Sequence, residues 1–130
     1  MSIRIVRLGS PRAHDEGTRI GTVRRPPRGV PKAQFATQDW YDVWLPVLAP
    51  SVETMKLGQQ AATPSAWTTF TRKYHAEMAQ PVAAQTLELL AALSQHAHFA
   101  VGCYCEDASR CHRSLLRALL DARGARLRDD

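Results

Sequence analysis

No stretch of this chain stays apolar for long. A membrane-spanning helix needs roughly 20 uninterrupted apolar residues. The nearest approach, residues 82–101, is broken by Gln85, Glu88, Gln95, His96 and His98. Residues 1–8 alternate apolar with charged side chains and hold no continuous apolar segment, which argues against a secretory leader. Cysteine is scarce, and the three present all fall between Cys103 and Cys111. An odd, clustered set is not a disulfide framework, and without an export signal it implies reduced thiols in the cytoplasm. No internal repeat and no low-complexity segment is present, so a repeat array is not expected.

Acidic residues are sparse at the front of the chain. Residues 1–32 hold eight Lys/Arg against two Asp/Glu, a balance of +6. Residues 33–105 hold three against five (−2) and residues 106–130 hold six against five (+1), which completes the net +5. A basic excess confined to one segment suits an anionic partner, a phosphate compound or a nucleic acid. A plain Arg-rich surface is the alternative. With 130 residues the chain has room for one domain and one core.

Ser2 to Leu8 and Thr18 to Val23 read as strands. Between Arg24 and Lys32, three prolines remove backbone donors and fix φ, which predicts a stiff, basic, irregular loop. Trp40, Val43, Trp44, Val47 and Leu48 recur at helical spacing, predicting a short helix within Asp39 to Ala49. Ser51 is placed to cap a turn over Val52 to Leu57. Thr63-Pro64 and Gln80-Pro81 open two longer helices. Trp67, Phe70, Tyr74 and Met78 form the buried stripe of the first. His98 to Tyr104 is a short apolar run, as expected of a strand buried on both faces. Ser109 caps a last helix with Leu115, Leu116, Leu119 and Leu120 inward, and Gly124 ends it. Residues 126–130 read as a flexible tail. The expected fold is therefore α/β: a single domain with a small, mainly parallel sheet flanked by helices.

Chemistry concentrates in Cys103 to Arg113, where a buried strand gives way through a polar turn to a helix start. Ligands bind at such places in open α/β folds, because the free N–H groups of the helix attract anions. Three readings compete. In the first, Arg24, Arg28, Arg110 and Arg113 join the helix N-terminus to hold a phosphate or carboxylate. Pairing of these arginines with Glu106, Asp107 or Asp121 is its bland counterpart. In the second, Cys111 is a thiolate activated by the helix end and His112, with Cys105 as resolving thiol. Glu106 or His112 would then serve as general acid or base, and Cys111 as a small packing residue is the counterpart. In the third, Cys103, Cys105, Cys111 and His112 supply a zinc site. Its objection is that adjacent helical residues point roughly 100° apart. No other cofactor is expected. Whether the site is catalytic stays open. A further alternative is a non-enzymatic partner-binding module, marked by an exposed aromatic patch from Trp40, Tyr41 or Trp44 and no concave pocket. The bland reading makes Trp40, Trp44 and Trp67 core residues and His96 and His98 satisfied structural histidines. It leaves Tyr74 and Glu77 as parts of an amphipathic helix.

Several short pieces, taken in order, resemble the bacterial YeaO-like proteins, domain-of-unknown-function family 488. They are Ile5 to Leu8, Gly17-Thr-Arg-Ile20, Arg24 with Pro27-Arg28-Gly29, Trp44, Leu48-Ala-Pro-Ser51, Phe70, Tyr74, Glu77, Cys105-Glu106 and Cys111-His-Arg113. Two departures stand out. Thr22-Val23-Arg24 replaces the family's usual Val-Asp-Arg, and Pro26 stands where Trp is typical. The Cys-Glu…Cys-His-Arg ending is similar to one branch, whereas the YeaO branch tends to lack those cysteines. The resemblance therefore implies that an activity common to the family rests on the arginines, Arg24 and Arg28 above all.

Overall fold

The computed structural model describes residues 1–105 and 111–128. Five strands make one all-parallel sheet: β1 (Ile3–Arg7), β2 (Thr18–Gly21), β3 (Val43–Trp44), β4 (Phe99–Cys103) and β5 (Leu127–Arg128), in the order β3-β2-β4-β1-β5. Four helices pack around it: α1 (Val52–Gln59), α2 (Pro64–Met78), α3 (Pro81–Leu93) and α4 (His112–Ala122). The expected α/β class and single domain are observed. No helix among the described residues is long and apolar enough to cross a membrane.

Central strand β4 is buried at all five positions, Phe99 to Cys103, and pairs with β1 on one side and β2 on the other. Parallel pairing leaves no room for a hairpin, so long crossovers cover both faces and every β4 side chain must be apolar or small. Ile3, Val101, Leu87, Leu116 and Leu120 are fully enclosed in the principal core. Helix starts follow the cap chemistry. The Ser51 hydroxyl accepts the Thr54 N–H, and the Thr63 hydroxyl accepts the Ala66 N–H with Pro64 in the first turn. Gly124, at φ 79°, ends α4.

Four expectations need correction. Residues 39–49 carry no α-helix: Val43–Trp44 pairs with Ile20 and Gly21 as β3, and Pro46–Leu48 forms one 3-10 turn. The Asp42 carboxylate accepts the Arg19 backbone N–H and two bonds from the Arg12 guanidinium, which fixes this segment as an extended edge. Trp44 is 43% exposed rather than core, its indole N–H donating to the Val23 carbonyl. Arg126 to Arg128 are not a tail, because Leu127–Arg128 pair with Ile3–Arg4 as β5; residues 129–130 lie outside the described residues. His96 and His98 are exposed, on the turn that leads into β4.

The most buried ion pair among the described residues has no counterpart in the sequence pattern. Arg19 is wholly enclosed and forks onto Glu16, Nε to Oε2 at 2.7 Å and Nη2 to Oε1 at 2.9 Å. Its Nη1 donates to the carbonyls of Ser10 and Asp39, each at 2.8 Å. One side chain thus ties the loop after β1 to the loop before β3.

Candidate functional site: a cysteine-histidine cluster beneath an arginine rim

In a parallel sheet the carboxyl ends of all strands lie on one edge, and ligand clefts form there. A cavity of about 1220 Å³ opens along that edge in this protein. Its wall comes from the segments that leave β1 (Arg7, Leu8, Gly9), β2 (Val23 to Arg28) and β4 (Cys103 to Cys105). Met55, Gly58 and Gln59 of α1 close another side, and Cys111 and His112 at the start of α4 form its floor.

The basic loop supplies the rim. Arg25 and Arg28 are exposed and line the cavity. Arg24 lines it too, but its Nε donates to the Pro50 carbonyl (3.2 Å) and its Nη2 to the Ala49 carbonyl (3.1 Å). It therefore fastens the loop to the start of α1 as well as adding charge. The Tyr104 hydroxyl donates to the Arg25 carbonyl at 2.9 Å, a second tether. Prolines and tethers together reduce the entropy lost when arginines of this loop meet a ligand. Arg7 joins the rim through register: it pairs with Cys103, so the end of β1 sits beside the end of β4.

Beneath the rim lie Cys103 and Cys111, both buried, with sulfurs 2.7 Å apart. Cys111 is the N-cap of α4, in an extended conformation (φ −134°, ψ 157°). It is therefore not a helical neighbour of His112, and the expected divergence of the two side chains does not occur. His112 Nδ1 is 3.7 Å from Cys111 Sγ. His112 Nε2 lies 2.8 Å from the Thr22 carbonyl. A carbonyl only accepts, so Nε2 carries a hydrogen and Nδ1 is left facing the sulfur. Tyr74 supports the ring from behind at a centroid distance of 5.7 Å, its own hydroxyl donating to the Leu48 carbonyl.

The sulfurs share hydrogens unevenly. Cys111 is held well below the ordinary thiol value by hydrogen bonds with Cys103 and Cys105, against the opposing effect of burial, with a further contribution from His112. Cys103 is pushed up by its hydrogen bonds with Cys105 and with Cys111, and by burial. For Cys105 the bond with Cys103 acts downward, but the bond with Cys111 and burial prevail and raise it to about 11. Of the three thiols, Cys111 is the one whose ionised form its neighbours favour.

Not every expected residue joins the site. Cys111, His112, Arg24 and Arg28 do, as do Cys103 and Cys105. Arg113 is buried and does not line the cavity, and its Nη2 donates to the Cys105 carbonyl. Glu106, Arg110 and the expected cap Ser109 lie outside the described residues. Glu77 is absent from the cavity wall: its carboxylate accepts the Ser51 N–H and hydroxyl, each at 2.7 Å, and the Thr54 hydroxyl. Sequence reasoning missed Arg7, Trp40, Tyr104 and the Thr22 carbonyl. Arg7 had a signal, since a strand beside β4 must end level with Cys103, whereas a backbone carbonyl leaves none.

A parallel α/β sheet with a basic cleft over a Cys/His cluster at its carboxyl edge defines the class of this protein. Residues 3–124 match the family model described as the active DUF488-N3 subclade. The chain therefore belongs to domain-of-unknown-function family 488, which includes the YeaO-like proteins. No curated protein and no solved structure matches it. Cys103, Cys111 and His112, with one donor atom each and all within 4.8 Å of one another, could hold a metal ion.

Proposed function

We propose that this protein binds a phosphate-bearing or otherwise anionic small molecule in the cavity at the carboxyl edge of the sheet. One observation carries the reading: Arg7, Arg24, Arg25 and Arg28 converge on a single concave cavity. Convergence on a cavity favours a small molecule over a nucleic acid, which calls for a basic stripe along a surface. Guanidinium forks match phosphate and carboxylate oxygens bidentately. Zinc suits the cluster below, since thiolate and imidazole are its usual donors. Three unpaired thiols fit the reducing cytoplasm. The cavity and the burial of Tyr41 speak against the partner-module alternative, and the exposed Trp44 speaks for it.

Calorimetric titration with inorganic pyrophosphate tests the reading. A charged hydrogen bond contributes about 1.5–3 kcal/mol, so Arg28→Ala should weaken binding by about tenfold or more. Equal affinity in wild type, Arg25→Ala and Arg28→Ala would remove the rim from the argument. Displacement of pyrophosphate by duplex DNA would turn the assignment to nucleic acid.

A second reading, thiol redox chemistry at Cys111, is favoured by the closeness of its sulfur to Cys103. The partner differs from the expected Cys105. Two thiols and one hydrogen peroxide would give one disulfide and two waters. Peptide mapping after peroxide should find a Cys103–Cys111 link; a link from Cys105 alone, or none, rejects this pairing.

A further inference from the structure

We infer that Cys103, Cys111 and His112 form a zinc site with three protein ligands, whose fourth coordination position opens into the arginine-rimmed cavity. The open position is where an anion would meet the metal, and that part rests on the anion-pocket reading above.

The donor set points to the metal. Two sulfurs and one imidazole nitrogen are ligands that zinc favours and that calcium and magnesium do not. The frame is rigid: Cys103 ends the central strand, Cys111 caps α4, and His112 begins it. Sites on such elements hold geometry better than sites on loops. His112 is oriented as metal-binding histidines are, one ring nitrogen donating to a backbone carbonyl and the other turned to the partner ligands.

Distances are close to what zinc needs. Bonds of about 2.3 Å to sulfur and 2.0–2.1 Å to nitrogen make a tetrahedron with edges of roughly 3.5–3.8 Å. The Cys111 sulfur to His112 Nδ1 separation is 3.7 Å. The two sulfurs, at 2.7 Å, must part by about 1 Å, within reach of small side-chain rotations. All three ligand residues line the cavity, although each is nearly buried. A structural zinc takes four protein ligands, whereas three with one side open is the arrangement of a site that meets exogenous ligands. Cys105, exposed and outside the compact group, is the rival fourth ligand.

The test uses the full chain, reduced, stripped of metal and handled without oxygen. Cobalt(II) serves as the spectroscopic probe, and zinc is read by competition with a chromophoric chelator. We expect one ion per chain and a thiolate-to-cobalt charge-transfer band. Cys103→Ser and Cys111→Ser should each lose more affinity than the roughly 100-fold upper range of an outer-shell change. Circular dichroism on both confirms that the fold survives, and either variant alone suffices if the other does not fold. Cys105→Ser should still take up one cobalt per chain with the thiolate charge-transfer band, because Cys105 is not among the donors, and inorganic phosphate or cyanide should shift that spectrum. No cobalt uptake by the reduced protein, or loss of uptake or of the charge-transfer band in Cys105→Ser together with indifference to cyanide, overturns the inference. The two readings fail separately. Phosphate that binds without any metal uptake rejects the zinc site and leaves the anion pocket. A cobalt site open to cyanide in a protein that binds no phosphate supports the zinc site and rejects the pocket.

Discussion

Glu16→Ala should lower the stability of this protein by about 3–5 kcal/mol, the usual cost of stripping one partner from a buried ion pair. Arg19 and Glu16 side chains are 0% and 3% exposed, so neither solvent nor salt can replace the lost carboxylate. Against a typical total of about 5–15 kcal/mol this is a large share. Urea denaturation measures it, and a loss below about 1 kcal/mol would mean that water reaches the arginine in the variant. The pH dependence has a definite sign. Burial works to raise the Glu16 pKa, but hydrogen bonding and charge from Arg19 outweigh it and bring it below the ordinary 4.5. A depressed carboxylate contributes its stability above the unfolded value, and the contribution disappears as pH falls through the folded one. Acid unfolding should therefore start below pH 4.5 in the wild type, while the variant loses that component of the curve. Binding should suffer as well, because Arg19 holds the loops that carry Gly9, Ser10 and Trp40 to the cavity.

Glu77→Ala should cost about 2–4 kcal/mol, somewhat less than three independent charged hydrogen bonds because such losses do not add. Its carboxylate caps α1 from a neighbouring helix, taking the Ser51 N–H, the Ser51 hydroxyl and the Thr54 hydroxyl together. A negative charge there also complements the positive end of α1. Helix α1 has eight residues and makes few turns of its own, so it depends on this anchor. Met55, Gly58 and Gln59 form the cavity wall on that helix, so pyrophosphate affinity should fall alongside the urea midpoint. Glu77→Gln keeps an acceptor oxygen and should fall between the two. A midpoint equal to wild type for Glu77→Ala would show α1 to be held by apolar packing alone.

Much of the fold is legible from local signals. Strands β1, β2 and β4 appear as short β-rich runs, and the caps at Ser51 and Thr63 mark helix starts, because these features depend on neighbours in sequence. Segment 39–49 misleads because Trp40, Val43, Trp44 and Leu48 recur at helical spacing while facing different surroundings. Only the pairing of Val43–Trp44 with β2 decides the outcome. Strand β5, two residues long, carries too little pattern to be told from a tail. Within the site, residue types, the strand-turn-helix context and a Cys111 beside His112 were readable, but the contact of the Cys103 and Cys111 sulfurs was not. The objection that Cys111 and His112 diverge fails because Cys111 is the last non-helical residue, a one-residue boundary that periodicity cannot resolve. Arg24 and Arg113 show the other gap. Charge in a sequence does not tell whether a guanidinium serves a ligand or the carbonyls of its own chain.

The register of β1 sets the order in which this chain can be completed. Ile3 pairs with Phe99 and with Leu127, so this strand finds these neighbours only after residues far along the chain have been synthesised. Non-local parallel pairing is slow, because the entropy of closing a long loop is lost before any ladder bond forms. Until then the Ile3-Arg-Ile-Val-Arg7 segment, rich in β-forming side chains, is an unpaired edge on the ribosome-bound chain. Arg4 and Arg7 punctuate it with positive charge, which discourages two nascent copies from pairing with each other. The arginine that later reaches the cavity rim thus also protects the strand while it waits.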